Sequence, residues 1–253
     1  MTSCDLTIDV SLLPNRISNS DIAIGVDVLR ASSSIVTALA NGAECVIITS
    51  SVKKAKKLKK SIPNSILAGE RNTVKIKGFD VGNSPSEMSK CNLRDKTVIL
   101  TTTNGTKLLK KLKEHSKVVL TASVLNLSSI ANTIREAHHS KGIKSVLIAC
   151  AGVKGNTSID DIAIAGLLIK EITKLTKAKL TDSAEISVRL FNSYRSIKEI
   201  FLNSESGRRV IAAGYSDDID FCAQMNLYPL SPLLFEDTYL YLKTFKGLSA
   251  LPL

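Results

Sequence analysis

A chain of 253 residues with 44% hydrophobic and 23% charged side chains carries enough apolar material for a folded core, which excludes a disordered chain. Aromatics make up only 4%, with no Trp, so the core must be Ile, Leu, Val and Ala, and a stacking platform for single-stranded nucleic acid is excluded. The formal charge of +11 suits an anionic partner without choosing among nucleic acid, an anionic membrane surface and a small acidic substrate.

In chain order, apolar β-branched runs predict strands at Leu6–Val10, Ile22–Val28, Cys45–Thr49, Thr97–Thr101, Lys117–Thr121 and Ser145–Cys150. Segments of helical period alternate with them, which predicts an α/β fold, read as one domain over residues 1–253 or two small pseudo-similar lobes sharing a core. Ser51–Ile62 sets Val52, Ala55, Leu58 and Ile62 on one face and six lysines on the others. Asp182-Ser-Ala-Glu185 reads as a capping box opening a helix to about Leu202, and Ser216 as the cap of a short helix to about Gln224. Three segments, Ile22–Ala40, Thr97–Lys113 and Ser145–Ile172, repeat the order strand, Ser/Thr/Gly-rich turn, helix. Each points a helix N-terminus at the carboxyl edge of the sheet, and three such ends converging would make an anion site.

The longest uncharged run, Val118 to Ile134, is rich in Thr, Ser and Asn and falls short of the ~20 apolar residues of a membrane helix. No signal-peptide pattern is seen, and Cys4, Cys45, Cys91, Cys150 and Cys222 are scattered, odd in number and never C-x-x-C. Reduced thiols and a cytoplasmic location are the expectation.

Chemistry-bearing residues concentrate in a few blocks. Asp27 ends an apolar strand, where a buried carboxylate needs a metal, a phosphate-handling role or a partner, and an Asp27–Arg30 ion pair with a serine N-cap is the bland alternative. Thr101-Thr-Thr-Asn-Gly-Thr106 joins a strand to a helix and offers either backbone amides to a phosphate or simply a capped turn. Asp160 and Asp161 follow a Gly-rich turn, and both Mg²⁺ ligation and helix capping by one of them stay open. The irregular stretch Gly69–Ser89, about 20 residues and thus long for a structureless loop, holds Glu70, Arg71, Asp80, Asn83 and Ser84 as candidate acid–base, anion and metal groups or as a solvated loop. The lysines of Ser51–Ile62 read as a solvated helix face, and no Walker loop, Cys-x5-Arg or Asp-x-Asp phosphatase motif is present at these sites.

Taken together these blocks resemble the 2-phosphosulfolactate phosphatase family. The matching stretches are Asp27-Val-Leu-Arg-Ala-Ser-Ser-Ser-Ile, Ala68-Gly-Glu-Arg71, Gly78-Phe-Asp-Val-Gly-Asn-Ser-Pro85 with Glu87, and Thr101–Thr106. Cys150-Ala-Gly, Asp160-Asp161 with Ala165-Gly166, Gly207-Arg208, and Asp218 before Cys222 complete the order, from about residue 5 to 230. Asn72-Thr73, Asp160 and Asn226 depart from the family pattern and bear on substrate preference rather than reaction class.

The resemblance implies a three-layer α/β/α fold around a mixed, largely parallel sheet. It also implies Mg²⁺-dependent hydrolysis of (R)-2-phospho-3-sulfolactate to (R)-3-sulfolactate and phosphate, a step of coenzyme M biosynthesis. On this reading Asp27, Asp80 and either Asp161 or Asp160 supply the metal ligands. Arg30 and Arg71, with Asn83, Ser84, Thr103, Asn104, Gly105 and Thr106, hold the substrate, and Asp27, Arg30 and Glu70 are catalytic, Glu70 activating water. The expected partner is a small anionic phosphorylated substrate, with no membrane and no nucleic acid, and homo-oligomer formation stays open. The rivals are a phosphatase acting on another small acidic ester and, further behind, a basic nucleic-acid-binding protein using the lysine-rich helix.

Overall fold

The computed structural model describes residues 6–14, 16–236, 240–244 and 251; Cys4 lies outside them. Among the described residues eleven strands form one sheet in the order β5-β4-β6-β3-β11-β10-β7-β2-β8-β1-β9. These are β1 (Leu6–Ser11), β2 (Ile22–Val26), β3 (Cys45–Ile48), β4 (Ser65–Arg71), β5 (Val74–Lys75), β6 (Thr97–Thr101), β7 (Val118–Ala122), β8 (Ser145–Cys150), β9 (Ala178–Leu180), β10 (Pro232–Glu236) and β11 (Leu240–Thr244). Two parallel blocks, β4-β6-β3 and β7-β2-β8-β1-β9, flank the β10–β11 hairpin, which pairs antiparallel with β7 on one side and β3 on the other. Three successive antiparallel steps therefore set the two blocks running in opposite senses.

The central strand β2, Ile-Ala-Ile-Gly-Val, is buried on both faces, as parallel strands covered by helices must be. Its alternate residues enter two cores. Ile22, Ile24 and Val26 face α5 (Leu127–Lys141) and α6 (Ile159–Leu175), while Ala23 shares a second core with α1 (Ala31–Ala40) and α4 (Gly105–His115). That second core also takes Val46 and Ile48 of β3 and Val98 and Leu100 of β6, so α1 and α4 serve both blocks as a common inner layer. On the outer face of the smaller block, Cys45, Ile47 and Ile99 meet α2 (Val52–Ser61), whose Ala55 is buried and whose Val52 and Leu58 pack alongside. Each block is thus a three-layer α/β/α arrangement on a mixed, mostly parallel sheet, as expected.

Gly25 permits the close approach of α4 to β2, because a Cβ there would sit 2.7 Å from a Leu109 methyl. Gly166 does the same for α6 against α7 (Asp182–Asn192), where a Cβ would lie 2.1 Å from the Ser187 carbonyl oxygen.

Some expectations need correction. The helix expected from Asp182 to about Leu202 is two, α7 and α8 (Ile197–Asn203); Thr181 rather than Asp182 caps the first, and Ser196 caps the second. Gly69–Ser89 is less irregular than it reads: β4 runs into it, β5 pairs back on β4, and Ser84 caps the short α3 (Pro85–Ser89). The chain ends its helical part with α9 (Glu205–Ala212) and α10 (Asp217–Cys222); Ser216 precedes α10 without a side-chain cap bond. Among the described residues no helix is long and apolar enough to cross a membrane.

Candidate active site

The carboxyl ends of β2, β4, β6 and β8 and the first turns of α1 and α4 close on one cleft. It is lined by Asp27, Arg30, Glu70, Asn83, Thr103, Asn104 and Asp161 among the residues singled out from the sequence, and by Thr73, Lys154, Ser206 and Arg209 beyond them.

Asp27 sits at the floor. Its Oδ1 accepts the Ala31 N–H at 3.3 Å, and a Gly105 N–H also reaches the carboxylate. Ser32 Oγ in turn accepts the Asp27 N–H at 2.8 Å, which fixes the strand-to-helix turn. Gly105 is required here because a Cβ would fall 2.7 Å from Asp27 Oδ2 and 2.5 Å from the Ala31 Cβ. Burial foremost, then the charges of Asp160 and Glu70, push the Asp27 carboxyl up to about 7.

The two aspartates of α6 play different parts. Asp161 accepts the Val28 N–H and the Gly152 N–H, both at 3.0 Å, one on each oxygen, and so ties the ends of β2 and β8 together. Asp160 accepts from Ser158 Oγ, which lies 3.0 Å from Ser206 Oγ of α9. Neither is a helix cap of the expected kind: Ser158 makes no cap bond, and its hydroxyl is spent on Asp160. Burial raises both carboxyls, and for Asp161 the charges of Asp160 and Asp27 add to it.

Glu70 is a clamp. Oε1 accepts the Thr103 N–H at 2.7 Å and the Thr103 hydroxyl at 2.8 Å, while Oε2 accepts the Thr73 N–H at 2.9 Å. Three amides of the turn expected to present them to phosphate are therefore taken by the protein's own oxygens: Thr103 N–H points at the Glu70 carboxylate, Gly105 N–H at the Asp27 carboxylate, and Thr106 N–H at Thr102 Oγ1. Asn104 reaches across to the Gly152 carbonyl at 3.1 Å.

Arg30 does not pair with Asp27. It is buried, donating at 2.7 Å to Asp218 Oδ2 of α10 and at 2.7 Å to the Thr73 carbonyl, with its guanidinium carbon 4.4 Å from the Tyr215 ring centre. Asp218 is fixed in turn by the Ser84 hydroxyl and the Ser86 N–H, so Ser84 acts behind the cleft rather than in it. Asn83 has its Oδ1 buried with no hydrogen-bond partner among the described residues.

Two predicted residues stand elsewhere. Arg71 turns out to the carbonyls of Glu70 and Ser50, and exposed Asp80 accepts the Leu67 N–H and faces Lys59 at 3.6 Å. Asp80 therefore belongs to a surface pair and not with Asp27, because the loop carrying it pairs back on β4. Asn226 caps α5 through the Ser128 N–H. Sequence reasoning gave no role to Asp218, Tyr215 or Arg209; only Asp218 stood in a family block, and nothing local marks the other two.

An α/β protein whose strand ends and helix starts gather buried acids, an anchored arginine and a free amide oxygen in one polar cleft has the site of an enzyme acting on a small anion. The chain belongs to the 2-phosphosulpholactate phosphatase family, whose model matches residues 9–237. It is similar to proteins named probable 2-phosphosulfolactate phosphatase. That of Pseudothermotoga lettingae is 39% identical over 235 residues, 92% of this chain and 98% of that protein. That of Thermotoga petrophila is 37% identical over 94% of this chain and 99% of its own, and that of Clostridium acetobutylicum 34% identical over 90% and 95%. Membership makes the protein a phosphatase, a phosphoric monoester hydrolase.

Proposed function

We propose that the chain hydrolyses (R)-2-phospho-3-sulfolactate to (R)-3-sulfolactate and phosphate, with Mg²⁺ as cofactor, in the cytoplasm and within coenzyme M biosynthesis. The observation that carries it is the cleft itself, which Asp27 and Arg30 both line at the converging strand ends of a chain aligned nearly end to end with relatives of that name.

The residues fit a magnesium ion of the kind held by few protein groups. Mg²⁺ keeps several waters and takes one or two carboxylates plus substrate oxygens, which the acid-lined cleft can supply. Asp27, at the cleft floor, and the unpartnered Asn83 Oδ1 are the oxygens of the lining that would hold it. Bound there, the ion would neutralise phosphoryl charge as the P–O bond to the sulfolactate oxygen breaks.

The chain's own groups position the ester. Asp218 and Thr73 fix Arg30 so that its charge is preorganised at the cleft, where low dielectric strengthens its hold on a phosphoryl oxygen. Glu70 acts by holding Thr73 and Thr103 on either side of the opening, a supporting role in place of the water-activating one expected from sequence. Release of inorganic phosphate from racemic phosphosulfolactate, in Mg²⁺ and after EDTA treatment, tests the proposal. Release that stops with EDTA supports it; equal or faster turnover of unrelated phosphate esters would favour the rival substrate class.

A further inference from the structure

Arg209 differs from every other cation of the cleft. It lies in the last turn of α9, half-buried, and reaches the cleft beside Ser206 and Val210 of the same helix. Arg30 is already committed to Asp218, the Thr73 carbonyl and Tyr215, and neighbouring Arg208 turns away to the Asn203 carbonyl. Lys154 is exposed at the cleft rim. For the Arg209 guanidinium no hydrogen bond, ion pair or ring contact is found among the described residues. A guanidinium with five donors that has lost part of its water at a cleft wall is suited to a planar or tetrahedral oxyanion gripped through two donors.

The acids around it make the need explicit. Asp27, Asp160, Asp161 and Glu70 crowd the inner end, so an ester bearing a second strong acid requires a cation away from the phosphoryl position. Arg30 enters from the β2–α1 turn and Arg209 from α9, whose Ser206 adjoins Ser158 ahead of α6, so the two arginines belong to different walls. We infer that Arg209 binds the sulfonate, the acidic group of the substrate that lies one atom further from phosphorus than its carboxylate, and so sets specificity for sulfonated esters. The inference rests on the phosphatase reading of this cleft and assigns one residue of it.

The test uses the full chain, wild type, Arg209→Gln and Arg209→Lys. Calorimetry in MgCl₂ gives affinities for 3-sulfolactate and for inorganic phosphate; kinetics are run on phosphosulfolactate and on 2-phospholactate, the same ester without the sulfonate. Arg209→Gln is expected to weaken sulfolactate binding about 10- to 100-fold, the range of a lost charged hydrogen bond, and phosphate binding by less than about 3-fold. KM for phosphosulfolactate rises, kcat/KM for phospholactate holds, and Arg209→Lys recovers part of the loss. Equal losses on both esters, or none on either, overturn the assignment. Wild type that hydrolyses neither ester defeats the phosphatase reading. In that case sulfolactate affinity that depends on Arg209 still upholds the subsite, and its absence overturns it.

Discussion

Replacing Asp27 by Asn should abolish turnover and yet flatten the pH dependence of stability in metal-free buffer. The half-buried carboxyl lies at the cleft floor, and desolvation with the charges of Asp160 and Glu70 moves it from an ordinary 3.8 to about 7. Below 3.8 both folded and unfolded chains hold the proton. Between 3.8 and about 7 only the folded chain does, so stability falls as pH rises through that window and levels above it. At ~1.36 kcal/mol per pH unit the loss amounts to about 3 kcal/mol between pH 5 and pH 8. Asn carries no charge to desolvate, though its NH₂ meets one of the two amides that Asp27 accepts, a cost of about 1–3 kcal/mol that does not vary with pH. Urea unfolding of both proteins in EDTA at pH 5, 6, 7 and 8 reads the difference directly. Wild type should lose about 3 kcal/mol more than the variant across the series; parallel pH profiles would refute the reasoning that the surroundings of Asp27 disfavour its charged form.

Gly105→Ala would normally favour a helix, but its Cβ is directed onto Ala31 and Asp27 Oδ2, so kcat should fall about 10- to 100-fold and stability by about 1–3 kcal/mol, measured by steady-state kinetics and urea unfolding. Asp218→Asn leaves the buried Arg30 charge without its counter-ion; about 3–5 kcal/mol of stability should be lost along with kcat/KM, whereas unchanged thermal unfolding would show the pair to be dispensable. Asp80→Asn should leave activity within about 2-fold and stability within about 1 kcal/mol, because Asp80 meets Lys59 at the exposed surface; a collapse of activity would return Asp80 to the site.

The strands that read most clearly are those buried on both faces. Thr97–Thr101 and Ser145–Cys150 fall where their apolar β-branched runs predict, because nothing in the sequence competes with the period. The β10–β11 hairpin was illegible: Pro232–Glu236 and Leu240–Thr244 are short, and only pairing with β7 and β3, over 100 residues away in sequence, makes them central strands. At the site, strand-end Asp27 was visible because an acid closing an apolar run is anomalous, and Glu70 through its Gly-Glu-Arg block in the stretch that reads as irregular. Their bonding was not. That Asp161 spans two strand ends, or that Arg30 chooses Asp218 over the nearer Asp27, depends on tertiary placement alone. Asp80 misled for the same reason, since a motif neighbour of Asn83 can face the opposite way.

The central claim is that the Asp27 cleft is a phosphosulfolactate phosphatase site, and the direct measurement is phosphate release from that ester by wild type and Asp27→Asn side by side in Mg²⁺. The account predicts release by wild type and loss of at least about 1,000-fold in a variant that stays folded, the scale expected for losing the group that positions phosphoryl-charge stabilisation. Equal release by both proteins would contradict it.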